Sequence, residues 1–359
     1  MQREKEQPDM PVDPSTTSPY EMFLAIARSH EPQHTYKSGR DVAEWRAETL
    51  PAVLATLGKP PAAAEPHAEL LAEWRRGDVV TQRFVLQVSE HLRAFAIVNR
   101  PAELAAGETR PAILCWHGHS LGGKEVVMGN DSSAAYRDTD RGTRTSYGRQ
   151  MAENGFVTYG IDWMGYGDQD DSGKPHHRNV AGTRDWCNLY YLQATMLGMT
   201  PLGINLAHGR ALTDFVSSLP FVDAARLGVM GLSGGGTMTL WTALTDERFA
   251  ATEIICYSDI FADFAFRDLN FCGSQITPGL YSLVDVADLQ GLLAPRPLLV
   301  DIGAFDECFR LDSAIACYNR VAEIYRCADA DDMLELDLFP GGHGWGGSTS
   351  VAFFSRHLG

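Results

Sequence analysis

A serine flanked by glycines near the middle of the chain has the side-chain type and spacing that nucleophilic chemistry requires. It is Ser233, within the pattern Gly231-x-Ser233-x-Gly235. The apolar residues 227–230 predict a buried strand before it, and residues 237–244 predict a helix after it. A strand-to-helix turn of this kind exposes the serine on a strained backbone, and the glycines avoid clashes with neighbouring elements. The pattern therefore predicts that Ser233 is a nucleophile.

A serine hydroxyl reacts well only when a base accepts its proton and an acid orients that base. Asp306 comes just after an apolar run that predicts a strand, and Glu307 and Asp301 are the rival carboxylates. His343 lies in a glycine-rich loop after the last predicted strand. Alone, Asp306 could be a solvated loop residue and His343 a structural one. The order Ser233, Asp306, His343, each after a strand, instead favours a triad of nucleophile, acid and base.

Negative charge that develops on a carbonyl oxygen also needs hydrogen-bond donors. The backbone amide of Gly234, next to the nucleophile, is predicted to be one of them. The other is expected from the loop after the third predicted strand, residues 116–123. The His-Gly turn there favours the backbone amide of His119. Gly234 and His119 are therefore the predicted oxyanion-binding residues.

Metal and nucleotide sites are alternative interpretations of the same region. His117 and His119 have a spacing that can hold a metal ion, but a glycine-rich turn follows instead of a third ligand. His176 and His177 lie in a polar segment and are predicted to be exposed. The glycines in 231–236 lack the Lys-Ser/Thr pair of a phosphate loop and the spacing of a dinucleotide site. We predict neither a metal ion nor a cofactor.

The seven cysteines do not form a recognisable ligand or redox pattern. They are widely scattered, and no two have the C-x-x-C spacing of a zinc ribbon or a redox motif. We therefore expect them to be reduced and expect none to be catalytic.

Length and charge limit the classes of protein and partner. The 359 residues, 45% of them hydrophobic, can bury one large core, with or without an appendage. The net charge of −16 disfavours binding to nucleic acid or to an anionic membrane. No apolar run approaches the roughly 20 residues of a membrane span, and residues 1–6 lack the apolar core of a signal peptide. We expect a cytoplasmic protein that acts on a small molecule, and homo-oligomerisation stays open.

The chain divides into three predicted parts. Residues 1–18 are polar and proline-rich, which predicts a disordered tail. Residues 19–80 have apolar side chains at helical spacing and predict an N-terminal helical extension. Residues 81–359 are predicted to form the catalytic domain, with lid-like insertions near 168–200 and 259–290.

Apolar runs alternate with helical patterns within this catalytic domain. The predicted strands are 83–88, 94–98, 112–116, 156–161, 227–230, 251–256, 297–302 and 334–339. The predicted helices are 146–153, 204–218, 234–244, 311–327 and 348–357. This alternation predicts an α/β fold with a mostly parallel central sheet flanked by helices. In such folds ligands bind at the carboxyl ends of the strands.

Several sequence blocks resemble a known family over roughly residues 83–357. The blocks are 116–119, 162–167, 222–229, 294–300 and the Gly-Gly-His loop at 341–343. They resemble the α/β-hydrolases of the acetyl xylan esterase and dienelactone hydrolase-like group. The resemblance implies the α/β-hydrolase fold and serine carboxylester hydrolysis, with Ser233, Asp306 and His343 at the positions of the family triad. Dienelactone hydrolases proper use a cysteine nucleophile, so Ser233 argues against that activity.

The sequence therefore predicts a serine carboxylesterase for acetyl or other small acyl esters. A peptidase or amidase with the same triad is the first alternative. The second is a non-catalytic ligand-binding protein with the same fold, and an intact triad argues against it because a receptor has no use for one.

Overall fold

The computed structural model describes residues 17–63, 65, 67–120, 122–173 and 185–359. Most of the predicted tail and the pair His176–His177 lie outside the described residues. All statements below concern the described part of the chain.

Nine strands form one sheet through the centre of the molecule. They are β1 (Ala68–Arg76), β2 (Val79–Ser89), β3 (Leu92–Pro101), β4 (Arg110–Trp116), β5 (Val157–Ile161), β6 (Val222–Leu232), β7 (Phe249–Ile255), β8 (Leu298–Gly303) and β9 (Leu334–Phe339). Their order across the sheet is β1-β2-β3-β5-β4-β6-β7-β8-β9. The pairs among β1, β2, β3 and β5 are antiparallel, and all pairs from β5 through β9 are parallel. This confirms the predicted mostly parallel sheet.

Helices cover both faces of the sheet. They are α1 (Pro19–Ser29), α2 (Val42–Ala55), α3 (Lys124–Val127), α4 (Ala134–Thr143), α5 (Tyr147–Glu153), α6 (Trp186–Met196), α7 (Pro201–Ser217), α8 (Gly234–Thr245), α9 (Leu280–Leu283), α10 (Val286–Gly291), α11 (Leu311–Cys327) and α12 (Ser350–Leu358). The five predicted helices correspond to α5, α7, α8, α11 and α12. Among the described residues no helix combines the length and apolar character needed to cross a membrane.

Inner parallel strands such as β4 and β8 are largely apolar because both of their faces are buried. Along β4, Leu114 and Trp116 point into one hydrophobic cluster, whereas Ile113 and Cys115 point into a second cluster on the other face. Every residue of β8 is buried as well. Successive side chains of a strand point to opposite faces, so a strand covered on both sides needs a continuous apolar run.

The structure corrects the predicted helical extension at residues 19–80. Only α1 and α2 are helical there, and residues 68–76 form β1. β1 is an edge strand paired with β2, with Arg76 opposite Val79, and nearly all of its residues are exposed. It therefore has no buried face to produce an alternating apolar pattern, and its alanine, glutamate and leucine residues favour a helix locally. Backbone pairing with β2 overrides that preference.

The N-terminal helices pack onto the main body of the protein. Trp45 and Val53 of α2 are fully buried and belong to the larger hydrophobic cluster. The Trp45 indole N–H donates to the backbone oxygen of His34 at 2.7 Å. The division of the chain at residue 80 stays a prediction, since α2 shares its core with the sheet.

Candidate active site

Ser233 occupies a strained turn at the end of β6. Its backbone has φ 60° and ψ −119°, and α8 begins at the next residue. A non-glycine residue with positive φ costs about 1–3 kcal/mol and persists only where its surroundings hold it. The surroundings here are close backbones. A Cβ atom at Gly235 would collide with the backbone oxygen of Trp116 at the end of β4. The predicted turn between strand and helix is therefore present, and the glycine lets β4 approach it.

His343 and Asp306 are in direct contact. The His343 Nδ1 atom lies 2.9 Å from Asp306 Oδ2, and Asp306 Oδ1 accepts hydrogen bonds from the backbone N–H groups of Cys308 (2.7 Å) and Phe309 (3.0 Å). Burial alone would raise the pKa of Asp306. The hydrogen bond and charge of His343, together with the two backbone donors, outweigh it and hold the pKa below its ordinary value. Asp306 is thus an ionised carboxylate that orients the imidazole.

The structure also separates Asp306 from its two rivals. Glu307 Oε2 accepts only a long hydrogen bond, 3.4 Å, from the backbone N–H of His343 and does not contact the ring. Asp301 is fully buried inside β8. On the other side of the imidazole, the Phe309 ring stacks on it with 5.7 Å between centroids. The His343 ring is therefore fixed by one carboxylate and one aromatic ring.

Ser233 and His343 line the same cavity, which has a volume of about 620 Å³. It lies at the carboxyl ends of β4, β6 and β8, as expected for a parallel sheet. Residues from the predicted insertion 259–290 form part of its wall, including Leu269, Phe271 and Cys272. Whether this segment moves as a lid stays a prediction.

The loop after β4 runs beside the serine. A Cβ atom at Gly118 would lie 2.8 Å from the backbone oxygen of Leu232, and one at Gly234 would lie 2.8 Å from the His119 ring. No described residue accepts a hydrogen bond from the backbone amide of His119 or Gly234. Both predicted oxyanion donors are thus close to the serine and unengaged. This loop follows β4, the fourth strand of the structure, whereas it follows the third predicted strand, because β1 was not predicted.

The two histidines of this loop have different surroundings. His117 is buried against Trp163, whose indole N–H donates to His117 Nδ1 at 2.9 Å. The His119 ring is accessible from the cavity and its Nε2 lies 3.1 Å from Cys272 Sγ. Burial lowers the pKa of each imidazole to about 4, so both are neutral. The alternative of a metal ion shared by His117 and His119 is not supported, because their rings have separate partners.

A buried ion pair supports this loop, and the sequence analysis missed it. Lys124, at the start of α3, is fully buried, and its ammonium donates to Asp162 and Asp168 at 2.6 Å each. Burial would lower the pKa of Lys124, but the two carboxylates raise it above its ordinary value. Asp162 directly precedes Trp163, so the pair holds the residue that packs on His117. A lysine followed by Glu125 and the apolar residues 126–128 was the signal available in the sequence.

Two groups of described residues could hold a metal ion. One is His119, Cys187 and Cys272, and the other is Cys256 with Asp306 and His343. The second group consists mainly of the candidate acid and base. His117 is in neither.

Solved structures with the same architecture are esterases by name. A Bacteroides fragilis protein named as an acetyl xylan esterase gives a TM-score of 0.71 at 17% identity, covering 94% of this chain and 85% of that chain. A glucuronoyl esterase from Solibacter usitatus gives 0.66 at 17% identity, covering 92% and 98%. This chain has the α/β-hydrolase fold.

Sequence comparisons agree with this fold. The model of the prolyl oligopeptidase family matches residues 210–258, which include the serine turn. YtaP of Bacillus subtilis, which is named as a hydrolase, is 23% identical over 304 residues that cover 83% of this chain and 94% of YtaP. The predicted resemblance to α/β-hydrolases is thereby confirmed.

Buried carboxyl groups anchor the loop that contains His343. Glu253 Oε1 on β7 accepts from the Trp345 indole (2.9 Å) and from the Ser350 hydroxyl (2.6 Å), and Asp301 lies beside it on β8. Burial raises the pKa of Glu253 to about 7 against the opposing effect of these hydrogen bonds. Burial and the nearby Glu253 raise the pKa of Asp301 as well. The loop therefore rests on carboxyl groups that the fold keeps protonated in mild acid.

This anchor predicts a pH-dependent stability. The folded protein holds the Glu253 proton more tightly than the unfolded chain does, so the stability it contributes is present below the ordinary pKa of 4.5 and is lost as pH rises through about 7. The loss is up to about 3 kcal/mol. Glu253→Gln keeps an acceptor oxygen but cannot ionise. We expect urea unfolding to show a smaller loss between about pH 5 and about pH 8 in this variant than in the wild type.

Glu103→Gln is the matched control, since Glu103 is largely exposed and pairs only with Arg75. It should show the wild-type pH dependence. If the free energy of unfolding fell with pH as steeply in Glu253→Gln as in the wild type, the role of Glu253 would be contradicted.

Proposed function

We propose that the protein is a serine hydrolase that cleaves carboxylic esters through an acyl-enzyme. The observation that carries this proposal is the 2.9 Å contact between the ionised Asp306 and His343, which lines the same cavity as Ser233 on its strained turn. A strained serine and an ordered imidazole–carboxylate pair at one cavity support nucleophilic catalysis.

Each residue of the site has one role in the proposed reaction. Because Nδ1 of His343 is hydrogen-bonded to Asp306, Nε2 is the atom that accepts the Ser233 proton. The Ser233 oxygen attacks the ester carbonyl in the same step. The amides of Gly234 and His119 stabilise the oxyanion. The imidazolium then gives its proton to the leaving alcohol, and water, deprotonated by the same nitrogen, releases the acid and restores Ser233.

The cavity walls support a small, neutral ester as the substrate. Part of the lining is apolar and includes Leu269, Phe271 and Phe309, which suits a short acyl group. Thr139, Thr143 and Thr145 also line the cavity, and their hydroxyl oxygens can accept hydrogen bonds from a hydroxylated alcohol. Among the described lining residues there is one carboxylate, Asp138, and no lysine or arginine. The acetyl xylan esterase name of one structural neighbour agrees with an acetylated sugar as the substrate class.

A peptidase or amidase is the second candidate. It is favoured by the match of residues 210–258 to the prolyl oligopeptidase family. The same triad can cleave both bond types, so only a comparison of substrates separates them. A receptor role gains no support, because a binding protein has no need of a strained serine. The proposed location is the cytoplasm, and the net charge of −16 favours a small-molecule substrate over nucleic acid.

Covalent labelling tests the role of Ser233. A fluorophosphonate should modify Ser233, because the proposed mechanism gives this hydroxyl a base, His343, and two oxyanion donors. Ser233→Ala should lose the label and lower kcat on the order of 10⁴-fold or more. Peptide mapping by mass spectrometry identifies the modified residue. Labelling at a different serine in active protein would refute this assignment.

Substitution of the acid tests the orientation of His343. Asp306→Asn should keep the fold, checked by circular dichroism, yet reduce kcat by up to about 10⁴-fold, because an amide can favour the wrong imidazole tautomer. Glu307→Gln is the matched control, since Glu307 contacts only the backbone of His343. It should retain most of the activity. The reverse pattern, with the large loss in Glu307→Gln, would make Glu307 the acid.

A substrate series tests the bond type and the acyl size. Aryl esters with two to about twelve acyl carbons should show the highest kcat/KM for the shortest chains, since the cavity of about 620 Å³ also has to admit the alcohol. The matching anilides should be cleaved far more slowly. Exhaustive chelation should not lower the rate. Faster cleavage of anilides than of esters would favour the peptidase alternative.

A further inference from the structure

Three potential metal ligands from distant parts of the chain meet at the wall of the cavity. They are Nε2 of His119, after β4, Sγ of Cys187, at the start of α6, and Sγ of Cys272, in the segment before α9. All three atoms lie within 4.8 Å of one another, and Nε2 of His119 is 3.1 Å from Sγ of Cys272. Both cysteines are buried, with 2% and 8% of their surface exposed. The proposed ester hydrolysis uses none of these three side chains.

The spacing of these atoms fits a tetrahedral ion. Zinc–sulfur and zinc–nitrogen bond lengths place neighbouring ligand atoms about 3.4–3.8 Å apart. The three atoms therefore need only small shifts to share one ion. His119 and Cys272 line the cavity, so its solvent can supply a fourth ligand. Two sulfurs and one imidazole favour zinc, cadmium or another thiophilic cation, whereas magnesium and calcium prefer oxygen ligands.

The protonation states of the three groups also favour a cation. The His119 imidazole is neutral, which is the form that binds metals, because burial lowers its pKa to about 4. A hydrogen bond with Cys272 lowers the pKa of Cys187 and raises that of Cys272. The Tyr166 hydroxyl lies 3.3 Å from Cys187 Sγ. A divalent ion that binds both sulfurs replaces the two thiol protons and releases them to solvent.

We propose that His119, Cys187 and Cys272 bind one thiophilic divalent cation, such as Zn²⁺ or Cd²⁺. We further infer that the bound ion suppresses turnover, an effect that rests on the proposed ester hydrolysis. The His119 ring lies against Gly234, and the His119 amide is a proposed oxyanion donor. An ion on Nε2 would fix this ring and place a positive charge and its fourth ligand in the cavity. The oxyanion loop would then be unable to adjust to the reacting carbonyl.

Cadmium binding to the reduced full-length protein tests the site directly. The wild type should bind one equivalent of Cd²⁺, measured by calorimetry and by the ultraviolet absorption of the thiolate–metal bonds. Cys187→Ser, Cys272→Ser and His119→Gln should each weaken binding by at least about tenfold, since each loses one ligand. Circular dichroism confirms that each variant is folded. Ser233→Ala should bind Cd²⁺ like the wild type, which makes this test independent of activity.

Two cysteine variants serve as matched controls. Cys327→Ser removes an exposed thiol on α11, and Cys256→Ser removes the sulfur of the group formed with Asp306 and His343. Both should keep the wild-type affinity. No stoichiometric binding by the wild type, or unchanged binding by Cys187→Ser and Cys272→Ser, would overturn the site. Loss of binding in Cys256→Ser alone would place the ion at the catalytic group and overturn it equally.

The effect on turnover needs a separate measurement. Saturating Cd²⁺ should lower ester hydrolysis by about tenfold or more in the wild type, and a chelator should restore it. The Cys187→Ser and Cys272→Ser variants should resist inhibition at the same concentration. Stoichiometric binding without any loss of turnover would overturn the inhibitory role. If the wild type cleaves no ester at all, the proposed function fails while the binding result still decides the site.

Discussion

The site depends on the close approach of β4 and the loop after it to the turn at the end of β6. Ser233 has a strained φ of 60°, and it keeps this conformation because β4 and its following loop press against the turn. The backbones can come this close because glycine has no Cβ atom. A Cβ would collide with Trp116 at Gly235 and with Leu232 at Gly118. The same contact that holds Ser233 therefore also brings the loop of His119 beside it. The proposed nucleophile and oxyanion donor are positioned by one packing arrangement.

Buried polar groups then fix the loops that the sheet alone would leave free. On one side, Lys124 and two carboxylates hold the segment that packs on His117. On the other, Glu253 holds Trp345, two residues beyond His343. Removing charges from water is expensive, and a buried ion pair often contributes little net stability. The value of these groups lies in geometry, since each demands particular partners at particular distances and so selects one loop conformation.

The physical origin of each feature decides whether it can be predicted from the sequence. The strands β4 to β8 were predictable because burial on both faces favours continuous apolar runs, and Ser233 and Asp306 were candidates because each comes just after such a run. The edge strand β9 instead alternates apolar and acidic residues, and His343 lies in the loop after it. β1 was missed because an exposed edge strand has no apolar periodicity. Lys124 and the His119–Cys187–Cys272 group were missed for another reason. Their partners lie tens of residues away, and no local pattern records which distant loops the fold brings together.

The residues proposed to react with the substrate and the residues that line its cavity come from different parts of the fold. The candidate serine, acid and base follow strand ends of the central sheet, whose two faces are both packed. The cavity walls come instead from connecting segments such as 269–275 and from α4. Substitutions in those segments can change which acyl or alcohol group fits without moving the reacting atoms. His119 is the exception, since its backbone belongs to the oxyanion site while its ring contacts Cys272 of the wall. Any ligand that binds at that ring therefore acts on both properties together.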